Sequence, residues 1–338
     1  MSEAQTLGVI GAGAWGTALA QMLASDGREV VLWAYEPDVV QAINAEHRNP
    51  LYLPSAQLAA TIRATGDLAD LAELDTVLVV TPAQVLGRVL EGLPHPPRDL
   101  VLCSKGIEAG TGRLMNDVAR EASPGSAIAV LSGPTFAHEV ASGLPTAVTL
   151  ACEGGRAQWE RLAPAIARRA FRPYYSDDVT GAEIGGAVKN VLAIACGVVE
   201  GLALGQNARA ALIARGYAEM LRFGEALGAE VETLSGLCGL GDLVLTCSSM
   251  SSRNFSLGKA LGEGGSAAAL MADRRTVAEG AHTAPVLAAL AEERGIAMPI
   301  VAAVDAILKG AEARAVVAQL LARPLRAELE SDAGDLLA

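Results

Sequence analysis

Six short, mostly apolar runs mark the first half of the chain, at residues 7–10, 29–33, 76–80, 99–103, 127–131 and 146–151, separated by helical or loop stretches. Runs of this length that lack alternation read as strands of a sheet covered on both faces. After about residue 176 the period changes. Apolar positions then recur at helical spacing, which predicts helices over 181–203, 208–228, 254–262, 283–294 and 299–309. The change of period places a domain boundary at 178/179, with an α/β unit over 1–178 and an all-α unit over 179–338. The Gly/Ala/Ser stretch at 262–269 reads as a surface loop.

The first strand leads straight into Gly11-Ala12-Gly13-Ala14-Trp15-Gly16 and then an alanine-rich helix from Thr17. A second strand ends near Glu36, about 20 residues beyond the last glycine, where a dinucleotide fold places its ribose acceptor. Gly11 permits the tight turn, Gly13 lets a pyrophosphate approach the backbone, and Gly16 lets helix and strand pack closely. Together these predict a Rossmann-type dinucleotide-binding domain, with the cofactor at the carboxyl ends of the strands. No Arg or Lys stands between 32 and 38 and Glu36 would repel a 2′-phosphate, so the local reading between NAD and NADP leans to NAD. An arginine from another loop would reverse it.

Lys189 stands in the otherwise small and apolar stretch Gly185-Gly186-Ala187-Val188-Lys189-Asn190-Val191-Leu192. An ammonium is costly to bury, so a lone lysine there points to chemistry. Gly185, Ala193 and Gly197 share its helical stripe, and their lack of side chain predicts room for another molecule, the floor of an active site. In the reduction of a ketone, Lys189 would stabilise the developing alkoxide and donate the proton; neutral Lys189 would be the base in reverse. That role needs a lowered pKa, which burial and the charge of Lys105 can supply.

Four further segments lie where loops leave strands or enter helices. Cys103-Ser104-Lys105-Gly106 puts a lysine at the carboxyl edge of the sheet. Ser132-Gly133-Pro134-Thr135-Phe136-Ala137 offers a rigid turn and exposed amides to an oxygen-rich ligand. In Gly239-Leu240-Gly241-Asp242, the aspartate is either a helix cap or the partner of a buried cation. Ser251-Ser252-Arg253-Asn254 enters a helix, where hydroxyls, amides and a guanidinium suit an anion such as phosphate.

Composition narrows the classes. The net charge of −12 and the absence of a basic stripe argue against nucleic-acid binding. The five cysteines are widely spaced without a Cys-x-x-Cys, which fits reduced thiols, and the four histidines have no metal-ligand spacing, so no metal is expected. The chain opens on a polar pentapeptide and then a strand, without a signal peptide, and the apolar run at 191–204 is interrupted by Glu200. A bilayer span needs about 20 apolar residues. A cytoplasmic protein with no membrane insertion is expected.

These motifs, with Val277-Ala278-Glu279-Gly280, resemble the NAD(P)-dependent sn-glycerol-3-phosphate dehydrogenases of the bacterial biosynthetic type. The resemblance spans nearly the whole chain, with seven motifs in the same order. It implies interconversion of dihydroxyacetone phosphate and glycerol 3-phosphate for phospholipid synthesis. Lys189 is implied as the proton-transferring residue, with Lys105, Gly133, Thr135, Asp242, Ser252, Arg253 and Asn254 on the substrate. Besides the glycine turn with Ala14, the implied cofactor contacts are Trp15, Tyr35, Lys105, Ala137, Arg253, Val277 and Glu279; Glu36 comes from the strand reading. A small-molecule substrate is the expected partner, and a homodimer is a compatible assembly. Many bacterial members carry a basic residue at Ala34 or Tyr35; this chain carries none. Cys238 replaces a more usual alanine, and His138 is given no catalytic role. Two rival readings are a β-hydroxyacid dehydrogenase, which also uses a helical lysine followed by asparagine, and a dinucleotide-binding redox sensor without catalysis. The Arg253 clamp counts against the first and the retained lysine against the second.

Overall fold

Eight strands form one sheet in the computed structural model, which describes residues 6–272 and 278–324. They are β1 (Leu7–Ile10), β2 (Val30–Trp33), β3 (Ile62–Thr65), β4 (Thr76–Val79), β5 (Asp99–Leu102), β6 (Ala127–Ser132), β7 (Thr146–Cys152) and β8 (Phe171–Ser176). Their spatial order is β3-β2-β1-β4-β5-β6-β7-β8, parallel throughout except where β7 runs against β6. β1, β2, β4 and β5 are buried at every position, as central strands covered on both faces must be. The two strands that apolar patterning misses are the edges. β3 carries the exposed Arg63, while β8 carries Arg172 and Pro173, whose missing N–H an edge tolerates.

Helices α1 (Ala14–Leu23), α2 (Pro37–Glu46), α3 (Leu86–Glu91), α4 (Met115–Ala122), α5 (Ala137–Ala141) and α6 (Gly155–Ile166) flank the sheet. From Val179 onward the described residues carry only helices: α7 (Val179–Gly201), α8 (Gly205–Ala226), α9 (Val231–Ser235), α10 (Asp242–Cys247), α11 (Arg253–Gly262), α12 (Ala267–Met271), α13 (Glu279–Glu293), α14 (Pro299–Leu308) and α15 (Ala313–Leu321). α12 corrects the reading of 262–269 as loop, since the alanines after Ser266 start a helical turn.

α7 is the axis of the second half. Asp178 caps it, accepting from the Gly181 amide at 2.7 Å, and α8, α10, α11, α13 and α14 pack around it. By length and composition it could cross a membrane, so the reading of an apolar run too short for that is corrected. Its apolar faces are buried inside the protein. The glycine stripe is corrected too. A Cβ on Gly185 would overlap the Cys238 carbonyl and one on Gly197 the Phe255 carbonyl, while Gly258 and Gly262 of α11 meet α7 backbone in return. These glycines bring helices together and do not leave room for a ligand.

Glu183 of α7 reaches across to the sheet half, where its Oε1 accepts from the Asn116 amide at the start of α4 at 2.8 Å. Its Oε2 is buried with no hydrogen-bond partner among the described residues, and burial pushes the carboxyl up to about 8. A raised carboxyl favours the native state below the unfolded value and withdraws that support as pH climbs through the folded one. Glu183→Gln, which keeps the acceptor and cannot ionise, is expected to melt higher than the parent at pH 8–9 by several degrees, and to differ little at pH 5. Melting curves at the two pH values check this, and equal shifts at both would contradict it.

Candidate active site

At the carboxyl end of β1 the chain turns through Gly11, whose φ is +108°. A Cβ on Gly16 would overlap the Gly11 carbonyl, so close packing of α1 requires glycine there, while a Cβ on Gly13 would meet nothing within 4 Å. Gly13 therefore faces open space at the N-terminus of α1. The first α1 hydrogen bond runs from the Thr17 amide to Gly13 O, which leaves the amides of Ala14, Trp15 and Gly16 outside the helix ladder. Unpaired amides at a positive helix end suit a pyrophosphate. The buried Trp15 Nε1 has no hydrogen-bond partner among the described residues, and Ala137 opens α5, which packs against α1.

The turn is braced from a distance. Asn49, fully buried, donates through Nδ2 to Ala12 O and Thr17 Oγ1, both at 2.8 Å. Its Oδ1 accepts from the Tyr52 amide at 3.1 Å, and the Tyr52 hydroxyl donates to Glu36 Oε1 at 2.8 Å. Glu36 stands just past β2 at the N-cap of α2, and Tyr35 beside it is 81% exposed. Val277 lies outside the described residues.

In the helical half, Asp242 takes both lysines. Its Oδ2 lies 2.9 Å from Lys105 Nζ and its Oδ1 2.5 Å from Lys189 Nζ. Of the two roles open to it, cap or cation partner, the geometry gives Asp242 the second. Lys105 comes from the loop after β5, Lys189 from the middle of α7, and Asp242 from the start of α10, which a π-helical turn over Leu237–Gly241 feeds. Thr246, one turn on, accepts from Lys189 Nζ at 3.1 Å. Asp242 is fully buried, so two ammonium groups would leave a net positive charge in a low-dielectric site. Burial is the main force pushing Lys189 down, to about 7; the neighbouring Lys105 charge adds to it and Asp242 resists. Burial works against Lys105 as well, but Asp242, a hydrogen bond to Lys189 and Glu279 outweigh it and hold Lys105 up. One lysine is thus set to stay charged while the other exchanges a proton near neutrality.

The remaining residues divide by what their side chains do. Gly133 sits so close to β7 that a Cβ would lie 2.9 Å from Val148 Cα. Thr135 turns its hydroxyl to Gly133 O at 3.3 Å. Ser252 and Asn254 do not converge with Arg253 as three free groups. Ser252 caps α11, accepting from the Phe255 amide, while Asn254 donates to Asn190 Oδ1 at 3.0 Å and accepts from the Gly280 amide at 2.9 Å. That clamp ties the start of α13, and with it Glu279, to the residue after Lys189. Arg253 is exposed, and its charge acts on Glu279, whose carboxyl burial raises.

Sequence reasoning missed several polar groups here. Thr246 was findable, four residues after Asp242 and therefore on the same helix face. The bonds of Asn190 to Asn254, of Asn49 to Ala12 and Thr17, and of Tyr52 to Glu36 span 16 to 64 residues and leave no local signal. Ser132, at the end of β6, and Thr81, just past β4, are buried hydroxyls without a hydrogen-bond partner among the described residues. Ser132 Oγ lies within 3.2 Å of where a Gly186 Cβ would stand, beside the Lys105 stem. Open backbone at Gly13, free α1 amides, orphaned donors at Trp15, Thr81 and Ser132, and an acidic residue after β2 together fit a nicotinamide dinucleotide. Among the described residues no group of three or more metal-ligating side chains comes together.

Comparison with known proteins agrees with this geometry. The N-terminal sequence model of the NAD-dependent glycerol-3-phosphate dehydrogenases matches residues 6–158, and the C-terminal one matches 178–318. The chain is 76% identical to a glycerol-3-phosphate dehydrogenase (NAD(P)+) of Erythrobacter litoralis, over 97% of this chain and 99% of that protein. It is 74% identical to its counterpart in Novosphingobium aromaticivorans, over 95% and 98%. A crystal structure of glycerol-3-phosphate dehydrogenase from Coxiella burnetii superposes with a TM-score of 0.89 at 40% identity, covering 94% of this chain and 99% of that one. With both halves matched in order and two lysines converging on the buried Asp242, the chain belongs to the NAD-dependent glycerol-3-phosphate dehydrogenase family.

Proposed function

We propose that this NAD(P)-dependent oxidoreductase interconverts dihydroxyacetone phosphate and sn-glycerol 3-phosphate, with Lys189 as proton donor and acceptor. The observation that carries the reading is the convergence of Lys105 and the buried Lys189 on one buried carboxylate, Asp242. When bound, the dinucleotide supplies or takes up the hydride. The protonated Lys189 has three N–H bonds; Asp242 and Thr246 take two and leave one for the substrate oxygen. In reduction that proton passes from Nζ to the developing alkoxide, leaving a neutral amine that Lys105 can face as donor. In oxidation the amine takes the proton of the alcohol. Lys105 stays charged and steadies the same oxygen.

In this reading Arg253 and the amides at the start of α11 hold the phosphate, with the loop Gly133–Ala137 closing over the triose. Gly11 to Gly16, Glu36, Tyr35 and Glu279 belong to the cofactor side. The division at 178/179 then separates a cofactor-binding unit from a helical substrate unit. A cytoplasmic enzyme that supplies phospholipid synthesis, free or as a homodimer and without membrane insertion, completes the proposal. Arg253→Ala is expected to raise KM for dihydroxyacetone phosphate about tenfold or more, since a charged hydrogen-bonding partner of the phosphate is lost, with a much smaller effect on KM for NADH. Initial rates with each substrate varied in turn check it; an unchanged KM for the triose phosphate would remove Arg253 from the clamp.

A further inference from the structure

We propose that Tyr52 is a specificity-determining positioning residue, which fixes the Glu36 carboxylate so that the ribose end admits a 2′-hydroxyl and refuses a 2′-phosphate. The proposal rests on the assignment of Glu36 to the ribose and adds what makes that residue discriminating. A glutamate on the protein surface has three rotatable bonds and can swing away from an incoming anion. Here it cannot, because the Tyr52 hydroxyl holds Oε1 at 2.8 Å and leaves Oε2 to accept from a sugar hydroxyl. Tyr52 is itself held: its amide donates to Asn49 Oδ1, and Asn49 is anchored by two bonds to Ala12 and Thr17 of the glycine turn. The carboxylate is thus referenced to the backbone that receives the pyrophosphate, so its distance from the ribose is set by the fold. Burial first and then Glu36 push the phenol up to about 12, so it remains a donor at every working pH.

The test is steady-state reduction of dihydroxyacetone phosphate with NADH and with NADPH by the parent, Tyr52→Phe and Glu36→Gln. The readout is the ratio of kcat/KM for NADH over that for NADPH. Phenylalanine keeps the ring and its packing, and a melting curve of each variant reports the fold. The expected result is a ratio about tenfold lower in Tyr52→Phe, the worth of one hydrogen bond to a charged group, through better use of NADPH. A ratio that stays put in Tyr52→Phe while both values of kcat/KM fall together would mean a structural role and overturn the proposal. If Glu36→Gln lowers the ratio and Tyr52→Phe does not, Glu36 keeps its ribose role and Tyr52 loses its own. If Glu36→Gln leaves the ratio unchanged, the ribose assignment fails and takes the proposal with it.

Discussion

Lys189→Ala is expected to bind NADH and to reduce dihydroxyacetone phosphate about 10²- to 10⁴-fold more slowly, the range over which a positioned general acid contributes. The lysine bonds to Asp242 and Thr246 and to none of the residues of the glycine turn, so its removal leaves the α1 amides and the Asn49 brace in place. The substitution removes three methylenes and the ammonium from a buried position, while Asp242 keeps Lys105 as its partner. NADH fluorescence titration should therefore give a Kd close to that of the parent while kcat collapses. The same group sets the pH dependence of the parent. Reduction requires the ammonium, so its kcat should fall as pH rises through about 7, and oxidation, which requires the amine, should rise over the same interval. Near-normal turnover in Lys189→Ala would take the residue out of the chemistry.

Asp242→Asn removes charge at nearly constant shape from a fully buried position, and its consequences are larger than those of a surface ion pair. Two lysines then lose the carboxylate they share, with only the more distant charge of Glu279 left to act on them, a change of the kind that costs about 3–5 kcal/mol when one partner of a buried pair is deleted. At least one of them must give up its proton. Loss of the Asp242 attraction lowers Lys189 further, so the limb along which reduction declines should move to more acidic pH, and kcat at pH 7.5 should fall about 10²-fold or more. The melting temperature should drop by about 6 °C or more at neutral pH and recover partly at higher pH, where neutral lysines no longer repel. A variant with the parent's pH profile would show that Asp242 does not govern the lysines.

How much of this was legible along the chain depends on the range over which each signal acts. The central strands announce themselves, because burial on both faces leaves no polar position in β1 or β2. The edge strands β3 and β8 do not, since an arginine or a proline on a half-exposed edge looks like loop. The glycine turn is readable because Gly11, Gly13 and Gly16 do separate physical work within six residues. Lys189 is readable because an ammonium in an apolar helix is rare, but the reason offered for its glycine neighbours does not hold. Gly185 and Gly197 serve contacts with Cys238 and Phe255, over 50 residues away, which no local pattern reveals. Asp242 illustrates the same limit: a cap and a cation partner look alike until Lys105 and Lys189 are brought to its two oxygens. Asn254 looks like part of an anion site and is committed to Asn190 and Gly280 instead. Local chemistry is visible in sequence, whereas the pairing of groups from β5, α7 and α10 is a property of the fold.

The central claim is that the lysine pair on Asp242 serves reduction of a phosphorylated ketone. Its most direct test is the oxidation of NADH, and separately NADPH, by the purified protein with dihydroxyacetone phosphate, with dihydroxyacetone as control. The account predicts turnover that depends on the phosphate, is faster with NADH, and yields glycerol 3-phosphate in step with the cofactor oxidised. No oxidation with either cofactor, or equal rates with the unphosphorylated ketone, would contradict it.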